Sequence, residues 1–480
     1  MGQDIDSSRF DANDFLVFEE KLREETRILG EWFADCHFDD DGKVSGYELE
    51  VCLIDDNGDP APLNKEFLDL SGKESDLPVV PELAKFNFEL NSDPCKLSGD
   101  VFKRMHEQLD ENWQRCCKHA ESLGCSLLMI GMLPTLKEDV LSLDSMSGIE
   151  RFRALNEQIL RLRQGRPLYL DIAGREHLQT SHGDVMLESA ATSFQLHLQM
   201  EPELAPHYYN AAHILSAPMV AIAANSPYLF GHDLWDETRI PLFEQAVAAG
   251  HGEGNQSGRL DRVTFGASYI ERSLFESFLR NQEDYPILLP ALSDALPEQF
   301  DHLRIHNGTI WRWNRPLIGF NEQGLHSLRI EHRAIPAGPT VVDSVANAAL
   351  FFGAVEILSQ RMREPEKQLS FEVARNNFYA AAKYGLNATL SWQGGRKVNV
   401  MDLIREEILP MAREGLASLD IDKDDIEDYM QIIAGRLQQQ QNGTIWQRGY
   451  IAKHGKDFGA MVKAYHERQQ GGCPVHEWSI

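Results

Sequence analysis

The sequence predicts an α+β fold, on three observations. Segments with the period-two alternation of strands are concentrated before Pro339. Long segments with helical period follow it, so the two kinds of element do not alternate as they do around a parallel sheet. The chain has 480 residues and is 42% hydrophobic, enough to bury a substantial core. No stretch reads as a linker, and residues 1–480 are taken as a single domain, sheet-rich over 37–340 and helical over 341–480.

In chain order, residues 14–33 place Phe15, Phe18, Leu22, Leu29 and Phe33 at helical spacing opposite a charged face, with Asn13 as N-cap. Residues 43–54 and 84–91 alternate as strands, with an acidic, Gly/Pro-containing loop region between them. A helix over 98–123 and a strand over 126–133 follow. Two further strands, 193–200 and 325–335, carry polar groups at alternate positions. Ser226 before Pro227 reads as a helix N-cap with proline at the first helical position. Beyond Pro339, residues 342–363, 370–384, 400–419 and 424–441 read as helices. The pentapeptide NGTIW occurs at 307–311 and 442–446 without matching flanks, so it marks no repeat.

Composition narrows the function. Lys and Arg number 46 against 74 Asp and Glu, a net charge of −28 that repels nucleic-acid phosphates and anionic membranes. The N-terminus has no basic flank followed by an apolar run, and apolar stretches such as 348–355 are too short to cross a bilayer. Seven cysteines, Cys36, Cys52, Cys95, Cys116, Cys117, Cys125 and Cys473, form no CxxC pair, as in a reducing compartment. A cytoplasmic protein with no nucleic-acid or membrane partner is expected. An anionic ligand would need a local cationic patch or bound cations.

Glu48 and Glu50 lie two apart in a strand, so both carboxylates leave one face ~6–7 Å apart. Glu89 sits among Phe86, Phe88 and Leu90, where a carboxylate is costly to bury unless paired or metal-bound. His197 shares a strand face with Gln195 and Gln199. Each has a plain structural alternative: a solvated sheet face, an outward glutamate, a hydrogen-bonded histidine. In RIEHR, Arg329, Glu331 and Arg333 alternate along one face, either as an ion-pair ladder or as an anion site. Arg312 and Arg315 lie upstream among tryptophans, and guanidinium forks suit bidentate capture of phosphate or carboxylate. Together these residues are what a multi-Mg²⁺ nucleotide site requires, because clustered glutamates stay ionised only beside cations.

The segments GYELE, FELN, TSFQLHLQ, ANSPYLFGHDLWDETR and LRIEHRAIPAGPTVVDSVANAALFFGAVE resemble the carboxylate-amine ligase family that includes the second bacterial type of glutamate-cysteine ligase. The resemblance spans roughly residues 44–356 and implies a glutamine-synthetase-like fold, a curved, mainly antiparallel sheet forming a funnel. It implies ATP and Mg²⁺ or Mn²⁺ as cofactors, with Glu48, Glu50, Glu89 and Glu331 as metal ligands. It also implies His197 near the nucleotide phosphates, together with Arg329 of the ladder. Arg333 would face the transferring phosphoryl group, and Arg315, Arg312 and Arg239 would hold phosphate or a substrate carboxylate. One departure is that Asn91 and Asp93 follow Glu89 where glutamine synthetase has a further glutamate.

The expected reaction is phosphorylation of a carboxylate, glutamate by resemblance, followed by attack of an amine such as cysteine. A guanidino kinase and a non-catalytic nucleotide or amino-acid sensor are the rival readings. The amine and any oligomeric assembly are left open.

Overall fold

A computed structural model describes residues 5, 8–35, 37–38, 42–74, 76–249, 261–320 and 324–480. Cys36, and residues 1–4, 6 and 7 of the N-terminal stretch considered above, lie outside them. The first strands are β1 Val44–Ile54, β2 Val79–Pro81, β3 Asn87–Asn91, β4 Cys95–Lys96 and β5 Ser126–Leu128. An outlying hairpin, β6 Leu168–Ala173 and β7 His177–His182, precedes β8 Phe194–Gln199. Two minor pairs follow, β9 Tyr228–Leu229 with β10 His232–Asp233, and β11 Val263–Thr264 with β12 Trp311–Arg312. The last strands of the main sheet are β13 Asn314–Phe320 and β14 His326–His332.

The main sheet runs β13-β14-β8-β1-β3-β2, with β4 and β5 paired to β1, and every pairing is antiparallel. The sheet curls into an antiparallel half-barrel. Alternation divides its faces. Tyr47, Leu49, Phe88, Leu90, Leu196, Leu198, Leu328 and Ile330 point into the larger core. That core is continuous with the helices Ala205–Ala223 and Val341–Arg361. The opposite face is left for the polar members of the same strands. β13 is an edge strand, which is why it tolerates Pro316, whose missing N–H interrupts no ladder on its outer side.

Helix Val341–Arg361 is long and apolar enough to cross a membrane, but 94% of its most apolar window is buried within the protein. It lies against helix Leu409–Ser418 at a glycine-to-glycine contact. A Cβ on Gly353 would strike the Ala412 carbonyl, and one on Gly415 would strike the Gly353 carbonyl.

Several local expectations change. Asp11, not Asn13, caps helix Ala12–Asp35, because its Oδ1 accepts from the amides of Asn13 and Asp14 at 2.7 and 3.1 Å. Ser226 starts no helix on its own segment. Its Oγ instead accepts from the Arg239 amide at 3.3 Å, at the start of helix Arg239–Ala246. The segment 126–133 is a continuous strand only as far as Leu128, with an isolated antiparallel bridge from Met132 to Ala191 beyond it. The segment 400–419 is broken by a wide π turn, Ile404–Ile408, ahead of Pro410, which has no N–H to continue the ladder. Strand β13, the β6–β7 hairpin and helices Ala205–Ala223, Gly443–His454 and Phe458–Gln470 had no counterpart in the sequence reading. The six described cysteines are free thiols.

The helical half is fastened through a buried ion pair. Arg436 donates to Asp343 Oδ1 at 2.8 Å, to the Asp343 carbonyl at 3.0 Å and to Asn347 Oδ1 at 2.6 Å. Asp343 Oδ2 also accepts from the Val475 amide at 3.0 Å. Arg436→Met leaves that carboxylate buried and uncompensated, and should cost about 3–5 kcal/mol of stability. The urea-denaturation midpoint measures this, and Asp343→Asn in the same chain should restore part of it. An unchanged midpoint would refute the anchoring role.

Candidate active site

Register brings the polar face together. Glu50 of β1 lies opposite Glu89 of β3, and Glu48 opposite Gln195 of β8. His197 lies opposite Glu331 of β14, which lies opposite Arg315 of β13. Directly opposed residues share a face, so five strands deliver these side chains to one surface. Gly46 sits opposite His197, which places no side chain beyond hydrogen there.

Glu331 is the hub of this surface. Arg315 grips it as a fork, Nε to Oε2 at 2.8 Å and Nη2 to Oε1 at 2.9 Å, and Arg333 Nη1 reaches Oε2 at 3.1 Å. Burial opposes ionisation of Glu331, but Arg315 and Arg333 outweigh it and hold the carboxyl down at about 2. Arg333 also donates to Gln195 Oε1. Gln195 Nε2 in turn donates to Glu50 Oε1 at 2.9 Å, while the Ser193 amide donates to Glu50 Oε2 at 2.7 Å.

Two triads lie on either side of this network. Glu48, His197 and Glu331 bring donor atoms within 4.8 Å of one another, and so do Glu50, Glu82 and Glu89. Glu82 is the carboxylate the sequence reading missed. It stands just before β3 instead of after it, where Asn91 and Asp93 had left the set in doubt. Its signal was a lone acid in the apolar run VVPELA.

Charge in the second triad is under-compensated. Burial, then Glu89, Glu50 and Glu188, push the Glu82 carboxyl well above its usual range. Burial and Glu48 push Glu89 up to about 7. Burial raises Glu50 despite Arg333 and Arg239. Glu48 differs, since His197 and Arg333 outweigh its burial and hold it well below the carboxylate range. His197 Nε2 stands 3.1 Å from Glu48 Oε1, and its buried Nδ1 makes no hydrogen bond. Glu82 Oε1 is likewise buried without a hydrogen bond. Two carboxylates 4.8 Å apart repel by roughly 3 kcal/mol at an effective dielectric of about 20. A hard cation in each triad would relieve that repulsion, and the oxygen-rich donor sets suit Mg²⁺ or Mn²⁺.

A cavity of about 230 Å³ opens from Glu48, Glu50, Glu331 and Arg333 toward the β13 edge. Arg315 and Arg329 line it, and burial lowers the pKa of Arg329. Its far wall comprises Arg151, Phe152, Phe278, Leu303, Arg304 and Trp311, none singled out beforehand as a site residue. Two expected anion binders lie outside the lining. Arg239 is committed to Glu237 at 3.2 Å and to the carbonyls of Arg333 and Ala334 at 3.1 and 3.3 Å. Arg312 donates to Ser277 Oγ at 2.5 Å and lies over the Tyr285 ring. Arg239 thus braces the backbone that carries Arg333.

Among solved structures, glutamate–cysteine ligase from Francisella tularensis, in complex with AMP, has a similar fold. Its TM-score is 0.53 at 12% identity, over 90% of each chain. A bifunctional glutathione synthetase from Pasteurella multocida aligns with TM-score 0.48 and 10% identity, over 95% of this chain and 55% of that one. No curated protein sequence matches the chain. Fold, polar face and sequence class define an ATP-dependent carboxylate-amine ligase. Residues 44–467 match the model of glutamate-cysteine ligase family 2, and the chain belongs to that family.

The raised Glu89 carboxyl carries a stability signature. An unfolded chain releases this proton near 4.5 and the folded protein near 7. Its contribution is therefore fully present below the lower value and lost as pH rises through the upper one. Glu89→Gln, which never ionises and keeps an acceptor for Asn91, should stabilise the metal-free protein above that window by up to about 3 kcal/mol. Urea titrations in EDTA on both sides of the window test this. Equal shifts on the two sides would refute the titration.

Proposed function

We propose that the protein joins the γ-carboxylate of glutamate to the amine of a small acceptor, with cysteine the leading candidate, through a γ-glutamyl phosphate formed from ATP. The observation that carries this is the Glu331 hub, where Arg315 and Arg333 line one cavity together with Glu48 and Glu331 of one metal-ligand triad and Glu50 of the other. On this reading Glu48, His197 and Glu331 hold one divalent cation, and Glu50, Glu82 and Glu89 hold another. Such cations supply Lewis-acid charge neutralisation at phosphate oxygens.

The chain's own residues do the positioning. Glu331 keeps Arg315 and Arg333 facing the cavity, so their remaining N–H groups can meet the transferring phosphoryl oxygens without reorganisation. Arg239 fixes the carbonyls next to Arg333. Gln195 links Arg333 to Glu50, so the cation-binding and phosphate-binding groups move as one body. No protein nucleophile is needed, and none of the six described thiols lines the cavity. Cysteine therefore enters as a substrate. The whole chain serves as one catalytic domain, because the larger core runs unbroken from Phe18 to Leu437 across the sheet–helix boundary. The acidic net charge and free thiols suit a cytoplasmic enzyme.

A guanidino kinase would yield a phosphorylated guanidine and no amide, and a sensor would yield no turnover. EDTA should abolish activity and Mg²⁺ or Mn²⁺ restore it. Glu48→Gln, Glu50→Gln and Glu82→Gln should each lower turnover at least about 100-fold. Near-normal rates in these variants would remove the cation assignment.

Hydroxylamine should trap γ-glutamyl hydroxamate from glutamate and ATP, with ADP and not AMP formed in equal amount. Arg333→Lys should lower kcat far more than it raises the KM for ATP, since a point charge cannot replace a planar fork. Hydroxamate from another carboxylate and none from glutamate would keep the ligase chemistry and reject the donor.

A further inference from the structure

An amine acceptor reaches a neutral-pH enzyme as an ammonium ion, which has no lone pair with which to attack. Two protons must leave its nitrogen before an amide results. The phosphate expelled from a γ-glutamyl phosphate takes one of them as the C–O bond breaks. The other must go to a base before the C–N bond forms, and none of the groups assigned above is free for it. Glu48, Glu50, Glu82 and Glu89 are cation ligands on the reading above, and Glu331 is held by two arginines.

Glu188 is different. It lies in the short turn Met186–Ala190 and lines the same cavity as Glu50 and Arg333. Burial and then the Glu50 charge, against the pull of Arg333, push its carboxyl up to about 8, and that carboxyl makes no hydrogen bond or ion pair among the described residues. The turn is rigidly placed. The Ser189 carbonyl accepts from Asn87 Nδ2 of β3 at 2.8 Å, Ser189 Oγ donates to the Met186 carbonyl at 2.7 Å, and the Val185 amide donates to Asn156 Oδ1 at 3.1 Å. Met186, Leu187 and Ala190 anchor it in the smaller core.

Resting on the γ-glutamyl phosphate reading, we infer that Glu188 is a catalytic residue that binds the acceptor's ammonium and takes its first proton. The donor's own α-ammonium is a poorer match. Glu188 faces the reacting end of the site beside Glu50 and Arg333, whereas that group lies at the opposite end of glutamate from the γ-carboxylate. As the proton passes to Glu188, the nitrogen lone pair attacks the acyl carbon. Phosphate then leaves with the C–O electron pair and takes the second proton, and Glu188 returns its proton to solvent.

Hydroxylamine separates this role from all others, because it is already neutral at neutral pH and needs no base to attack. Glu188→Gln should therefore keep γ-glutamyl hydroxamate formation within a few-fold of the parent enzyme. Amide formation with L-cysteine, or with methylamine where cysteine is not taken, should fall about 100-fold. Glu188→Asp should recover part of it. Retained hydroxamate synthesis also certifies that the variant is folded. Equal loss of both activities, no loss of either, or a raised KM for glutamate in the hydroxamate assay would each overturn the inference. A parent enzyme that forms no hydroxamate from glutamate would instead reject the γ-glutamyl reading, and the role of Glu188 with it.

Discussion

The interaction on which the rest depends is the grip of Arg315 and Arg333 on Glu331. It gathers two guanidiniums and a carboxylate on a face already crowded with glutamates, and it keeps one of those glutamates ionised at about 2 while others are pushed toward protonation. Without it, three strands and the turn before β3 would present mutually repelling acids with nothing to hold them at close range. With it, the face has alternating sign, and a protein of net charge −28 gains a place where phosphates can approach.

That arrangement needs an unyielding support. β8 is buried at every position, because its apolar side packs on the core while its polar side is covered by the site. Behind the sheet, helices Ala205–Ala223 and Val341–Arg361 are almost wholly buried. The glycine contact between Gly353 and Gly415 brings the next helix close behind them. Arg239 then links the helix Arg239–Ala246 to the carbonyls of Arg333 and Ala334. A guanidinium committed to backbone fixes the direction in which the cavity-lining guanidinium of Arg333 points.

The cavity is charged along its strand-borne side, and its far wall sets Phe152, Phe278, Leu303 and Trp311 beside Arg151 and Arg304. Such a lining suits a ligand with an anionic head and a planar or apolar body, as ATP has. The wall is built partly from the helix Asp301–Asn307, which the N-terminal helix Ala12–Asp35 fastens from outside. Glu25 accepts from the Leu303 amide at 2.7 Å and meets His302 Nδ1 at 2.5 Å, both partners being buried. This fastening comes from a segment that precedes the family-matched residues 44–467.

The sequence by itself determined what alternation encodes. Period two within GYELE, FELN, FQLHLQ and RIEHR already placed Glu48, Glu50, Glu89, His197 and Glu331 on strand faces, because side-chain direction along a strand is a local property. Partner choice is not local, and only the tertiary structure decided it. Glu82, from the turn before β3, and Glu188, from a short turn before β8, join the face through chain reversals that no local pattern announces. Arg239 and Arg312, equal in chemistry to Arg315, are spent on backbone, Glu237 and Ser277 because that is what surrounds them. The pentapeptide NGTIW makes the point most directly. At Asn307 it ends a helix and lines the cavity, and at Asn442 the same five residues begin one, the asparagine Oδ1 accepting from the Ile445 amide. Identical local chemistry permits both, and the packing around each copy selects one.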